Sequence, residues 1–412
     1  MDLTNDEKEM AEGKQGNALK KSMEILIALG EIYGAEKLVD VTSVQIAGVS
    51  YDNLGDAGLE YLAEMAIDGK TRVLTTLNPA GMDLENWEAL GMAKEFAEKQ
   101  KAVIDSFAKM GVKTTCTCTP YFIGNKPNQG DHIAWSESSA VAYANSVLGA
   151  YTNREGGPSA LASALTGKTP LYGMHLDENR NAKVKVIVET EIKGTEYFGA
   201  LGRVIGEKIK NKPAYITGIK EASIEELKSF SASIATYGGA AIFHIEGITP
   251  NKTPVPEESI NVTKEEIDTA LASWNDDCEV DFVSVGCPHC SLKEIEKLAE
   301  MLNGKKVTKE FWITCARPIK KEAEEKGYVK KIEEAGAKFA CDTCCVVAPI
   351  KGRFKCLATD SAKGCYYGAA KNEFKVKIMS IENLVREACG ATQNQEDFVN
   401  PSQTASSKEV VE

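Results

Sequence analysis

Seven of the chain's twelve cysteines fall in three short stretches, TCTC (115–118), GCPHCS (286–291) and CDTCC (341–345). Thiolates hold soft metals and attack electrophiles, so chemistry would sit in these stretches. Structural zinc takes two C-x-x-C pairs about 15–20 residues apart. Here Cys287/Cys290 and Cys341/Cys344 are separated by a whole strand–helix–strand–helix stretch, which disfavours a zinc ribbon. A thioredoxin-like motif is weaker still, because two pairs occur and neither sits in a recognisable thioredoxin unit. An iron–sulfur cluster held by widely spaced thiolates fits this pattern best. The remaining cysteines, to a total of eight or nine inert ones, are expected to pack as small hydrophobes.

Other polar groups lie close by in sequence. His289 sits between Cys287 and Cys290, where it can hydrogen-bond a thiolate or a substrate, and His132 is a second such group; His175 and His244 read as packing or surface residues. NREGGP (153–158) places Asn153, Arg154 and Glu155 before two glycines and the helix-starting Pro158. Arg154 there is either a bidentate fork for a carboxylate or phosphate, or a solvated turn residue. In WSESSA (135–140), Ser136, Ser138 and Ser139 either cap a helix running to Leu148 or, for Ser136, touch substrate. Lys363 in TDSAKG is an anion site or a solvated lysine.

The elements that must position these residues alternate between short apolar strands and amphipathic helices. Strands are predicted at 44–49, 72–77, 112–116, 183–189, 214–219, 240–246, 280–285, 310–314, 337–341, 353–358 and 375–380. Two helices fill the first 34 residues, and others are predicted at 195–211, 223–237, 263–274, 291–303 and 381–389. Thr4/Glu7, Thr263/Glu266 and Ser291/Glu294 are spaced as capping boxes. Such alternation implies an α/β fold of two or three mostly parallel sheets covered by helices. Cys118, Cys287, Cys315 and Cys344 then follow strand ends, the side of an open α/β sheet where ligands bind. The capped terminus at Ser291 adds free N–H groups beside Cys287. NKTPVPEESIN (251–261) reads as a linker, and 391–412 as a polar, disordered tail.

Composition narrows the class. Apolar residues make up 43% and charged ones 26%, ordinary for a globular protein. A net charge of −12 argues against nucleic-acid or anionic-membrane partners. The start MDLTNDEKEM has no apolar signal region, and no stretch is long enough to span a membrane, so a cytoplasmic location is expected. There, the twelve cysteines are expected to serve metal binding or catalysis rather than a disulfide framework.

The stretches TCTPYFIGNKPNQGDHIAWSESSAVAYANSVLGAYTNREGGPSAL (117–161), GCPHCS (286–291), CDTC (341–344) and TDSAKG (359–364) resemble the aconitase X family. More narrowly, they are similar to its archaeal large subunits that dehydrate phosphomevalonate. The resemblance covers residues 1–390 and implies an aconitase-like catalytic core, three α/β domains around an iron–sulfur site. It implies Cys118, Cys287 and Cys344 as ligands of an iron centre, a [4Fe-4S] cluster as in the archaeal enzymes or a two-iron cluster or single iron as elsewhere in the family, with Cys116, Cys290, Cys341 and Cys345 as neighbours that could take their places. A mobile swivel domain carrying the serine base is implied on a separate small subunit, giving a heterodimer. The implied reaction is dehydration of (R)-5-phosphomevalonate to trans-anhydromevalonate 5-phosphate. Dehydration of cis-3-hydroxy-L-proline or another small hydroxyacid is the alternative within the family. A non-catalytic metal-binding or redox-sensing protein is the alternative outside it.

Overall fold

The computed structural model describes residues 1–390. The expected tail, 391–412, lies outside them. All eleven predicted strands form, with ends shifted by up to three residues, within three parallel sheets. The first has the order Lys113–Cys116, Leu74–Leu77, Ser43–Ile46, Ala134–Trp135. The second runs Ser259–Val262, Val184–Val188, Ala214–Thr217, Phe243–Ile245, and the third Lys338–Cys341, Glu310–Cys315, Phe282–Val285, Cys356–Thr359, Lys375–Ile378. Every pairing in these three sheets is parallel. Phe282–Val285 is central and buried at each position, which is why its sequence is an unbroken apolar run rather than an alternating one. An antiparallel pair, Leu38–Asp40 with Lys168–Pro170, ties the N-terminal helices Asn5–Ala11 and Asn17–Tyr33 to the first sheet's unit.

Four strands escaped the sequence reading. Leu38–Asp40, Ala134–Trp135 and Lys168–Pro170 have only two or three residues each, too short for a periodic signal. The fourth changes the view of the Pro-rich segment 251–261: it is irregular from 251 to 258, and Ser259–Val262 then joins the second sheet beside Val184–Val188. The three predicted capping boxes are present. The helix expected to be capped by a serine of WSESSA is capped instead by Glu137, whose carboxylate accepts from Ser139 N.

Two seams hold the sheets in relation to one another. Between the first and third, Arg317 binds Asp83 and Asp342 at 2.6 Å and Glu85 at 2.8 Å. Asp83 also accepts the Cys341 N–H at 2.8 Å, and Asp342 O accepts Ala80 N–H at 2.7 Å. Burial pushes the Asp342 carboxyl up to about 6 against the pull of Arg317. Between the second and third, Lys228 reaches from helix Ile224–Gly238 to Glu294 and to the carbonyl of His289. Helices Thr195–Ile209 and Ile224–Gly238 can pack this closely because Gly206 faces Gly238; a Cβ at Gly206 would lie 2.8 Å from Gly238 N.

Cys278 and Cys356 form a disulfide, unlike the all-thiol state expected from the sequence. Asp281, three residues after Cys278, accepts the Cys356 N–H at 2.9 Å, so the start of one strand brings its approach loop beside the start of its neighbour. The other ten cysteines are free. No helix among the described residues is long and apolar enough to cross a membrane.

Candidate metal centre and substrate cavity

Three loops from strand ends meet. Cys118 follows Lys113–Cys116, Cys287 follows Phe282–Val285, and Cys344 follows Lys338–Cys341. The second loop turns at Gly286, with φ +101; a Cβ there would lie 2.2 Å from Thr314 O, so no other residue fits. Its Cys287–Pro288 peptide is cis, and the capping box of Ser291 and Glu294 starts the next helix.

His289 fastens the three loops together. Its Nε2 lies 2.9 Å from Thr343 O, one residue before Cys344, and its Nδ1 lies 2.9 Å from Thr117 Oγ1, one residue before Cys118. A carbonyl only accepts, so Nε2 carries the proton and Nδ1 accepts from Thr117. Its own backbone N–H donates to Cys118 Sγ at 3.2 Å. Burial holds the imidazole down to about 4, so it is neutral. Both ring nitrogens are engaged in positioning the loops, and of the two contacts read from the sequence, to a thiolate or to a substrate, the one present is the backbone N–H to Cys118 Sγ.

Cys118, Cys287 and Cys344 open onto one cavity, together with Asn78, Pro79, Glu137, Ser139, Pro288, Val346, Val347 and Lys363. Burial raises all three thiols, Cys287 to about 12. Each also has a donor favouring its thiolate: His289 N–H for Cys118, Ser361 for Cys287, and the N–H groups of Val346 and Val347 for Cys344. Opposite them, Lys363 is ion-paired with Glu137. Burial alone would raise the Glu137 carboxyl, but the Lys363 ammonium and Ser139 hold it at about 2. Glu137 Oε2 further accepts from Asn78 Nδ2 at 2.8 Å, and Oε1 from Ser139 Oγ at 2.9 Å. A carboxylate so filled is a fixed anion and a poor base.

Among the described residues, no group of three His, Cys, Asp or Glu side chains converges on a single metal ion. Three thiols on one cavity, each met by a hydrogen-bond donor, are a soft donor set of the kind that holds a metal cofactor.

The remaining sequence candidates lie elsewhere. Cys116, Cys290, Cys341 and Cys345 are buried away from the cavity; Cys341 Sγ lies 3.9 Å from Cys315 Sγ. Ser136 donates to Gly156 O at 3.5 Å. Asn153 braces a loop through Tyr172 O at 3.1 Å and Met174 N at 2.8 Å. Glu155 is buried and accepts from Ser159 at 2.6 Å. Arg154 is exposed. His132 bonds His175 ring to ring at 2.9 Å, outside the cavity. Lys363 alone of the proposed substrate contacts lines the cavity.

Sequence reasoning passed over Asn78, Glu137 and the cavity role of Ser139. The signal for Asn78 was present: it follows a predicted strand end, the rule that selected the cysteines. Glu137 stood inside WSESSA, an acid within a run of small and apolar residues that had to be paired if buried.

Three family models together match nearly all of the described residues. Residues 1–178, 182–272 and 280–390 match the descriptions "Aconitase X first domain", "second domain" and "third domain". The chain belongs to the aconitase X family. A solved aconitase X from Thermococcus kodakaraensis, in its holo-form, superposes with a TM-score of 0.88 at 44% identity, covering 94% of this chain and 100% of that one. Its holo-form implies that aconitase X proteins take a cofactor. Phosphomevalonate dehydratase large subunits are similar at 46% identity in Methanosarcina mazei (95% of this chain, 98% of that one) and 45% in Methanocaldococcus jannaschii (94% and 100%). A cis-3-hydroxy-L-proline dehydratase of the same family, from Pseudomonas aeruginosa, is 29% identical over 92% of this chain but only 68% of its own length.

Proposed function

We propose that this chain is the large, catalytic subunit of a cytoplasmic hydro-lyase that dehydrates (R)-5-phosphomevalonate to trans-anhydromevalonate 5-phosphate. The observation carrying this reading is the meeting of Cys118, Cys287 and Cys344, from three separate strand ends, on one cavity that also holds Lys363. Near-full-length similarity to phosphomevalonate dehydratase large subunits supports this substrate over hydroxyproline, whose dehydratase relatives are more distant and longer.

Cys118, Cys287 and Cys344 would hold a [4Fe-4S] cluster, supplying a Lewis acid that makes hydroxide a viable leaving group. The chain's own residues do the rest of what can be assigned to it. Lys363 anchors the substrate carboxylate with the ammonium proton that Glu137 and Ser138 leave over. Arg154, exposed on the loop held by Ser136, is the candidate for the phosphate. Dehydration breaks one C–H bond α to the carboxylate and one C–O bond, forms C=C and releases water. The proton needs an acceptor, and Glu137, held ionised with both oxygens filled, is unsuited. The family resemblance places the base, a serine, on a second, small subunit, whose closure would also exclude water. The name "large subunit" of the relatives supports such a partner.

The test is anaerobic preparation with and without the co-encoded small subunit, with iron and sulfide analysis and a substrate screen. The expected result is bound iron and sulfide in both, with turnover of phosphomevalonate higher by orders of magnitude in the complex. Full activity with zinc alone, or preference for hydroxyproline, overturns the reading.

A further inference from the structure

Asn78 presents the cavity with an acceptor that nothing in the chain satisfies. It follows strand Leu74–Leu77, and its backbone N–H is engaged with Ile46 O at 2.8 Å. Its side-chain Nδ2 donates to Glu137 Oε2 at 2.8 Å. A carboxylate only accepts, so the amide cannot be turned over, and Oδ1 is the end left free. That oxygen is buried and without a hydrogen-bond partner, in a residue 8% exposed. Among the described residues it is the orphaned buried polar atom that belongs to the cavity lining. A buried orphan calls for an explanation, and a ligand donor is the one its position offers.

Glu137 grips two groups at once, Asn78 through one oxygen and Lys363 through the other. The first is left with a free acceptor and the second, which also reaches Ser138 Oγ at 3.5 Å, with one ammonium proton. We propose that this trio is a subsite for a 3-hydroxy acid. Asn78 Oδ1 accepts from the substrate's hydroxyl, Lys363 receives its carboxylate, and Glu137 is the positioning residue that fixes their separation. The subsite rests on the dehydratase reading and deepens it by naming what selects a hydroxylated substrate. A site built to bond a hydroxyl rejects an analogue lacking one, because the buried acceptor is then left unpaired.

The test uses the cluster-loaded complex with its small subunit. It compares kcat/KM for (R)-5-phosphomevalonate with the competitive Ki of 3-methyl-5-phosphopentanoate, the same molecule without the 3-hydroxyl. Asn78→Ala should lower kcat/KM by roughly tenfold or more, with Ki and iron content little changed. Asn78→Ser, too short to reach both partners, should behave alike and serves if the alanine variant fails to fold. Equal weakening of substrate and deoxy analogue in a folded variant overturns the subsite alone. A wild-type complex that neither turns over nor binds phosphomevalonate overturns the functional reading, and the subsite with it.

Discussion

The unit built on the second sheet, residues 182–272, repeats the parallel architecture of its neighbours but contains no cysteine. The cavity is lined only by residues of the first and third units, and the residues that follow the second sheet's strands, such as Glu189, Gly218 and Glu246, are exposed. The middle unit contributes Lys228 to the back of the site, neutralising Glu294 and holding the His289 carbonyl. Fold alone therefore does not decide where chemistry occurs. The residues that follow each strand do, and an equivalent unit without them becomes a support.

This division can be broken from either side. The largest effect is expected from Cys118→Ala, Cys287→Ala and Cys344→Ala, each of which should abolish turnover and lower bound iron per chain. Retention of iron and activity in any one, with loss in the Cys290 or Cys345 variant, would move the ligand assignment by a step. Next comes the support. Lys228→Met leaves Glu294 buried without its counter-charge, and should cost about 3–5 kcal/mol in urea unfolding. Adding Glu294→Gln, which removes the stranded charge, should recover most of it; no recovery would mean that Lys228 acts by packing.

A smaller effect concerns pH. Burial holds His289 near 4, below its ordinary 6.5, so the native ring refuses a proton that the unfolded chain accepts between those values. Its contribution is thus fully present above about pH 6.5 and is lost as the pH falls toward 4, by about 1.4 kcal/mol per unit. Apo-protein stability followed from pH 7 to 5 should fall, and His289→Gln should reduce the slope by one proton. An unchanged slope would place the titration elsewhere. The smallest effect is expected at Cys389, half-buried at the end of helix Ile381–Ala388 and away from the cavity. Cys389→Ala should stay within about 0.5 kcal/mol of wild type and keep its iron.

The sequence made the frame readable because parallel strands buried on both faces leave long apolar runs, and helices between them carry capping boxes. It disclosed the cysteine loops for the same reason, since each follows such a run. It did not disclose how they are fastened. The contacts of His289 join residues 117, 289 and 343, and those of Glu137 join 78 and 363; no local spacing records partners so far apart. The fate of Ser136, Asn153 and Glu155 was equally hidden, because a polar residue in a Gly-rich loop looks the same whether it faces a substrate or braces the turn.

Arg317 and its three carboxylates set where this molecule can flex. With Asp83 and Glu85 on one unit and Asp342 on the other, all on one guanidinium, the first and third units are tied across this seam. The walls of the cavity stand on these two units, so opening the seam would break charge-assisted bonds. A hinge at this seam would pull Cys118 away from Cys344 at every opening and dismantle the thiol set once per turnover. Tied as it is, the seam spares the thiol set that cost.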